Sequence, residues 1–381
     1  MKLEQTCWTQ ARGWEPEPPG RLGMSAQLVL LFGATAILKA GIPLNEMKQL
    51  YPRARFMGCS TAGEIFGTQV LDDSLVVTAV QFESTTLQGV SISLAEAGSS
   101  LAAGYRLAQS FKHEGLVHVF VLSDGLAING TELVKGLMQY LPSSVTVTGG
   151  LSGDGDRFHE TLVLLDGPPQ PHIITALGFY GNRIAVGYGS LGGWDPFGPE
   201  RLITRAEGNV LYELDGKSAL ALYAQYLGEH AKGLPATGLF FPLSIRIPGE
   251  EHGVVRTILS TNPLDESLTF AGEIPEGTYA RLMKANFDRL IDGAVGAART
   301  SYEALGSSSP DLAVLISCVG RKLVLKQRIE EEVESVREIL GNRTVLAGFY
   351  SYGEISPFTR GAKCELHNQT MTVTTFSERE K

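Results

Sequence analysis

Cys59 and Ser60 are nucleophile-capable side chains, and a carboxylate, Glu64, follows them in Gly58-Cys59-Ser60-Thr61-Ala62-Gly63-Glu64-Ile65. An attacking thiol or hydroxyl needs a base within hydrogen-bond reach, and no histidine lies in this segment. The G-x-S-x-G of a nucleophile elbow is absent as well. Ligand binding therefore fits better than catalysis, with Gly58 and Gly63 permitting tight turns and Cys59, Ser60, Thr61 and Glu64 as candidate ligand contacts. The pattern returns near the other end of the chain as Gly348-Phe349-Tyr350-Ser351-Tyr352-Gly353-Glu354-Ile355. The shared G-x-x-[ST]-x-G-E-I makes this a duplicated turn, with Tyr350, Ser351, Tyr352 and Glu354 as the second set of candidate contacts.

Both turns follow a helical stretch and a short apolar strand. A third copy lies between them: strand His118 to Ser123, helix Thr131 to Tyr140, and strand Val145 to Thr148 running into Gly149-Gly150-Leu151-Ser152-Gly153-Asp154-Gly155. It lacks the Glu-Ile but offers Ser152 and Asp154, and Asp124 stands at the end of its first strand. Each copy is a strand, helix, strand and glycine-rich turn, a βαβ-sized unit. Three irregularly spaced units are not a solenoid. The fold class expected is α/β (mixed α+β): two domains, each a mixed β-sheet with flanking helices.

A chain of 381 residues, 43% hydrophobic, favours two ordinary globular cores. The net charge of -9 argues against nucleic acid or anionic membrane as the main partner. The apolar run from Ala26 to Leu38 is interrupted and too short to span a bilayer. An acidic, Pro-rich Trp14-to-Gly20 segment is unlike a signal peptide. The reading is a cytoplasmic protein with a disordered segment at 1–24. Cys7, Cys59, Cys318 and Cys364 show no C-x-x-C and are expected to be reduced thiols.

Later segments read as a hairpin, Ile173 to Tyr180 and Ile184 to Tyr188, turned by Gly181-Asn182. A rigid cluster, Gly192-Gly193-Trp194-Asp195-Pro196-Phe197-Gly198-Pro199, divides the domains, 25–193 and 194–381. The last strand, Lys363 through Phe376, carries a polar patch, His367-Asn368-Gln369-Thr370, that either caps a sheet edge or lines a pocket. Asp154 to Glu160 has neither EF-hand nor zinc spacing. No phosphate-binding G-x-x-x-x-G-K-[ST] occurs.

Taken together, the two G-E-I turns, Ser123-Asp124-Gly125, Gly149 to Gly155, Ser317-Cys318-Val319-Gly320-Arg321 and His367-Asn368-Gln369-Thr370 resemble the FIST family of sensory proteins, over about Gln27 to Thr374. The resemblance implies a FIST N-terminal and a FIST C-terminal sensory domain that bind a small ligand and signal, without enzymatic activity. It looks like a stand-alone bacterial form, some of which are haem proteins that sense nitric oxide and regulate a separate histidine kinase. Haem b would need an axial ligand and an apolar pocket; His367 is the expected ligand, with Tyr350 and Tyr352 as pocket wall or alternative ligand. The expected partners are a small molecule or diatomic gas, a histidine kinase and a second copy of the chain. The competing expectation is a small polar metabolite such as an amino acid, met by Glu64, Asp154 and Glu354, with Asn368 and the turn hydroxyls completing the site.

Overall fold

The computed structural model describes residues 1–246, 253–306, 309–359 and 361–379, the side chains of 42 and 43 excepted. Fifteen strands make three equivalent sets of five. The first set is β1 (Lys2–Thr9), β2 (Leu28–Gly33), β3 (Arg55–Ser60), β4 (Glu64–Phe66) and β5 (Ser74–Gln81). The second is β6 (Thr86–Ser93), β7 (Leu116–Ser123), β8 (Thr146–Leu151), β9 (Val163–Leu165) and β10 (Ile173–Tyr180). The third is β11 (Ile184–Leu191), β12 (Leu312–Cys318), β13 (Val345–Ser351), β14 (Gly353–Pro357) and β15 (Met371–Glu378). In each set the second and third strands are parallel and joined through helix: α1 (Ile42–Leu50), α2 (Gly130–Met138), and, after the long α3 (Phe287–Ala304), the pair α4 (Val319–Leu325) and α5 (Ile329–Leu340).

The sets do not keep to themselves. The fourth strand of each pairs with the third strand of another: β4 with β13, β9 with β3, and β14 with β8. Three six-stranded sheets result, with cores ordered β9-β3-β2-β5-β1, β14-β8-β7-β10-β6 and β4-β13-β12-β15-β11. Alternation along each strand sorts side chains to two faces. Leu28, Leu30 and Phe32 meet Phe120, Leu122, Val314, Ile316 and Phe349 in one central core, while Val29 and Leu31 face outward onto α1. The outer faces of the other two sheets share a core with α2 and α5. On α5, Val333, Val336 and Leu340 form the buried stripe, and Glu330 to Glu332 in the first turn with Arg337 in the last suit the helix dipole.

Equivalent positions carry equivalent constraints. A Cβ at Gly58, Gly149 or Gly348 would stand 2.1, 1.9 or 1.9 Å from the carbonyl oxygen of Leu31, Val121 or Leu315, so only glycine allows each parallel pair to close. Asp73, His172 and Gln369, each just ahead of the return strand, all adopt left-handed backbone, with φ of 50°, 58° and 62°.

The described residues between 195 and 284 form a separate nine-stranded sheet with its own core, where Leu222, Tyr223 and Leu227 of helix Ala219–Leu227 pack on Leu243, Leu268 and Phe270. The Gly192–Pro199 cluster is thus the entrance to an insert, and residues 285–379 return to the three-sheet body. The expected second domain, 194–381, is therefore not one sheet system in this structure.

Three further expectations are corrected. Residues 2–9 are not frayed: all eight pair with β5. Gly181-Asn182 does not turn a hairpin, since β10 pairs with β6 and β7 while β11 pairs with β15 of another sheet. The last strand is broken at Asn368 to Thr370, separating Cys364–His367, an edge strand on β14, from β15. Gln369 in the left-handed region cannot continue a strand.

Candidate functional site

The two G-E-I turns are built alike. Glu64 accepts hydrogen bonds from the Thr61 hydroxyl, the Ser74 amide at 3.2 Å and the Ser74 hydroxyl at 2.7 Å. Glu354 accepts them from the Ser351 hydroxyl at 2.7 Å and from the Thr370 amide and hydroxyl at 3.1 and 2.8 Å. Each carboxylate ties its turn to the start of the return strand. Burial pushes Glu64 up to about 7 and Glu354 up to about 8, against the lowering effect of these donors. In the second unit Gly155 stands where these glutamates stand, and Asp124 performs the tie instead. It accepts from the Leu126 and Ala127 amides at 2.9 and 2.7 Å and from the His172 amide at 3.0 Å.

Most of the other expected contacts are engaged internally. Cys59 is in the central core, where burial raises its thiol well above the ordinary range. Ser60 accepts from the Leu162 amide at 2.8 Å, and Ser152 donates to the Ser123 carbonyl at 3.0 Å. Asp154 is held by Thr35 at 2.9 Å, the Glu160 amide at 3.2 Å and Arg157. Its several donors keep its carboxyl below the usual range although burial, the largest influence, acts the other way. Tyr350 donates to Glu332 at 2.7 Å beside the fully buried Arg321–Glu332 ion pair. Glu64, Asp154 and Glu354 thus do not converge on a cleft.

Tyr352 and Asn368 do reach one. A cavity of about 550 Å³ opens between the body and the insert, within the range of small-molecule sites. Cys318, Val319, Gly320 and Leu323 form one wall, at the carboxyl end of β12. Leu234, Leu239 and Thr257 to Leu259 form the other. The Tyr352 ring stacks on Phe158 with centroids 4.4 Å apart. Its hydroxyl accepts from the Asp154 amide at 3.0 Å, which fixes the stack.

The lining is largely apolar, yet two of its polar atoms, Asn368 Oδ1 and Thr257 Oγ1, are buried without a hydrogen-bond partner. Such atoms cost free energy unless something meets them. Thr257 was not legible as a site residue, because it lies in the insert and has no motif around it. Asn368 was legible from the polar patch around it, and its amide donates to the Tyr352 carbonyl at 3.5 Å.

Of the residues expected toward haem, Tyr352 lines the cavity and His367 and Tyr350 lie outside it. His367 Nε2 lies 2.7 Å from the Ser356 carbonyl and its ring packs on Phe358, with centroids 4.2 Å apart. Burial drives its pKa down to about 4. Neither it nor Tyr350 lines the cavity, and no histidine is among the described lining residues. No group of three or more His, Cys, Asp or Glu side chains among the described residues is placed to hold a metal ion. The four cysteines are buried, unpaired thiols. No helix of the described residues is long and apolar enough to cross a membrane.

Three interlocked βαβ units with an insert over the ends of their strands, and a cavity between, define a ligand-binding module. The FIST N domain matches residues 27–217 and the FIST C domain residues 219–357, and the chain belongs to the FIST family of sensory domains. It is 24% identical over 370 residues to uncharacterized protein Rv0628c of Mycobacterium tuberculosis, covering 93% of this chain and 92% of that one. It is 23% identical over 338 residues to uncharacterized protein MJ1623 of Methanocaldococcus jannaschii, covering 81% and 62%.

Among solved structures it is similar to a chorismatase, with a TM-score of 0.35 and 8% identity over 98% of both chains. It is also similar to a cyanuric acid hydrolase from A. caulinodans, with a TM-score of 0.37 and 8% identity over 100% and 99%. The expectation that the chain is not an enzyme is corrected here: these neighbours are enzymes, so that exclusion is dropped. Likeness at these scores assigns no activity to this chain.

Proposed function

We propose that this protein is a signal-transduction sensor whose ligand occupies the cavity between body and insert. The observation that carries the reading is the pair of unpartnered polar atoms, Asn368 Oδ1 and Thr257 Oγ1, on an otherwise apolar wall. The ligand that fits is a small, largely apolar molecule with an N–H or O–H donor for Asn368. The charged group among the described lining residues is Asp156, so an amine is tolerated, whereas the free carboxylate of an amino acid meets no cationic side chain there. A thermal-shift screen of small amines, alcohols and amides, with amino acids included, tests this. A hit on the wild-type protein should lose its shift in Asn368→Leu and in Thr257→Val. A hit with the same affinity in all three proteins sinks the assignment.

The finer reading, haem b binding with nitric oxide sensing and control of a partner histidine kinase in the cytoplasm, rests on the family resemblance. The engagement of His367 by Ser356 weighs against it, and the small-metabolite reading is preferred. The spectrum of the protein mixed with haem decides between them: a Soret band lost in His367→Ala restores the haem reading.

A further inference from the structure

Arg256 is 4% exposed, and its surroundings are unusual for a buried guanidinium. Its partners are three carbonyl oxygens, Glu273 at 3.3 Å, Val255 at 3.4 Å and Leu366 at 3.0 Å, the last on the body. These engage Nε and Nη1, and among the described residues no carboxylate lies within ion-pair distance. A buried cation without a counter-ion is costly. Burial lowers its pKa to about 10 although Glu365 and Glu273 act the other way. Space has been left for the side chain, since a Cβ at Gly272 would lie 2.7 Å from its Nε.

The guanidinium borders a second cavity, of about 360 Å³, between the insert and α2. Apolar walls come from Val134, Met138, Ile245, Val254, Pro275 and Leu366. Thr131, on α2, lines the same cavity and its buried Oγ1 has no hydrogen-bond partner. Lys135 and Lys363 also line it, with two carboxylates, Glu273 and Glu365, so that Arg256 leaves the described lining one positive charge in excess. A buried guanidinium that meets only carbonyls among the described residues, an unpartnered hydroxyl and an apolar floor in one cavity describe a receptor for an anion on an apolar stem.

We propose that this cavity is a second ligand site, for a small apolar molecule bearing one carboxylate or phosphate that Arg256 and Thr131 receive. Its occupant bridges Arg256 of the insert to α2 of the body. The site is separate from the Asn368 cavity, and each assignment can fail without the other.

Titration calorimetry of the full chain with phenylacetate and with phenyl phosphate tests the site. At least one should bind saturably with Kd below about 1 mM, and the tighter of the two identifies the anion. Arg256→Gln should weaken binding tenfold or more and Thr131→Val about threefold, while Asn368→Leu leaves it unchanged. Because Arg256→Gln also severs the bond to Leu366, Thr131→Val decides the matter if that variant loses its fold. Absence of binding by both probes, or equal affinity in wild type and Thr131→Val, overturns the proposal.

Discussion

The turns at Glu64 and Glu354 have the same bonds, the same burial and the same place in their units, yet only the second borders the cavity between body and insert. Where the third unit has Tyr352 and Asn368, the first has Ala62 and Asp72. Lys322 of α4 closes over the first turn, donating to the Ala62 carbonyl at 2.9 Å and pairing with Asp72. In the third unit the equivalent surface carries the Tyr352 ring and the unpartnered Asn368 amide oxygen. The repeated residues therefore build the turn, and the residues that break the repeat open it onto the cavity.

The sharpest break in this equivalence lies beneath the turns. Tyr350 in the third unit occupies the place of Ser60 in the first, and it leans on Glu332, which also receives Ser317 at 3.1 Å and Arg321 at 3.0 and 2.7 Å. Arg321 in turn binds the carbonyls of Gly192 and Leu290, on either side of the insert. Glu332→Leu strands that buried cation and should cost about 3–5 kcal/mol, against about 1 kcal/mol for Ser60→Ala. Urea unfolding measures both, and similar costs would mean the two units bear equal weight.

A smaller effect distinguishes the glutamates by pH. Both have folded-state values raised above the ordinary 4.5, so the fold favours their protonated forms. That stabilisation is complete below about pH 4.5 and is lost as pH rises through about 7 for Glu64 and about 8 for Glu354. The advantage of Glu354→Gln over wild type should therefore grow from pH 5 to 8, by up to about 1.4 kcal/mol per pH unit. For Glu64→Gln the growth should stop nearer pH 7. Melting temperatures that differ from wild type by a constant amount across this range would show both carboxylates ionised throughout.

The smallest change concerns the residue that separates the turns in function. Tyr352→Phe keeps the stack on Phe158 but leaves the Asp154 and Phe158 amides, 3.0 and 3.3 Å from the hydroxyl, without that partner. A loss of about 1 kcal/mol is expected, with weaker binding of any ligand of the Asn368 cavity. Ligand affinity identical to wild type would remove Tyr352 from the site.

The units and their order were legible because each consists of a buried-type strand, an amphipathic helix and a glycine turn, all local signals. Strand partnership was not. Gly181-Asn182 satisfies hairpin chemistry, but which sheet receives β11 depends on an edge of β15 made much later in the chain. Residues 2–9 carry no polar–apolar alternation to mark a strand, and the acidic Pro-rich segment behind them pointed to a frayed end. Of the expected contacts, Tyr352 and Asn368 line the cavity between body and insert; Cys59 is a core thiol, and the rest are hydroxyls and carboxylates engaged within the fold, a role that uses the same residue types. Thr257 and Arg256 escaped notice because a polar residue at or just beyond the end of a short strand gives no sign of whether its partner is water, protein or ligand.

The exchange of strands among the units also sets a timetable for synthesis. β4 leaves the ribosome early, but its partner β13 follows only after the second unit and the whole insert, on the order of tens of seconds later at about 5–20 residues per second. β3 waits for β9, and β8 for β14, so no sheet can close before the next portion of chain has emerged. Nascent chains must hold open edges throughout, and the body becomes protease-resistant in one late step instead of unit by unit.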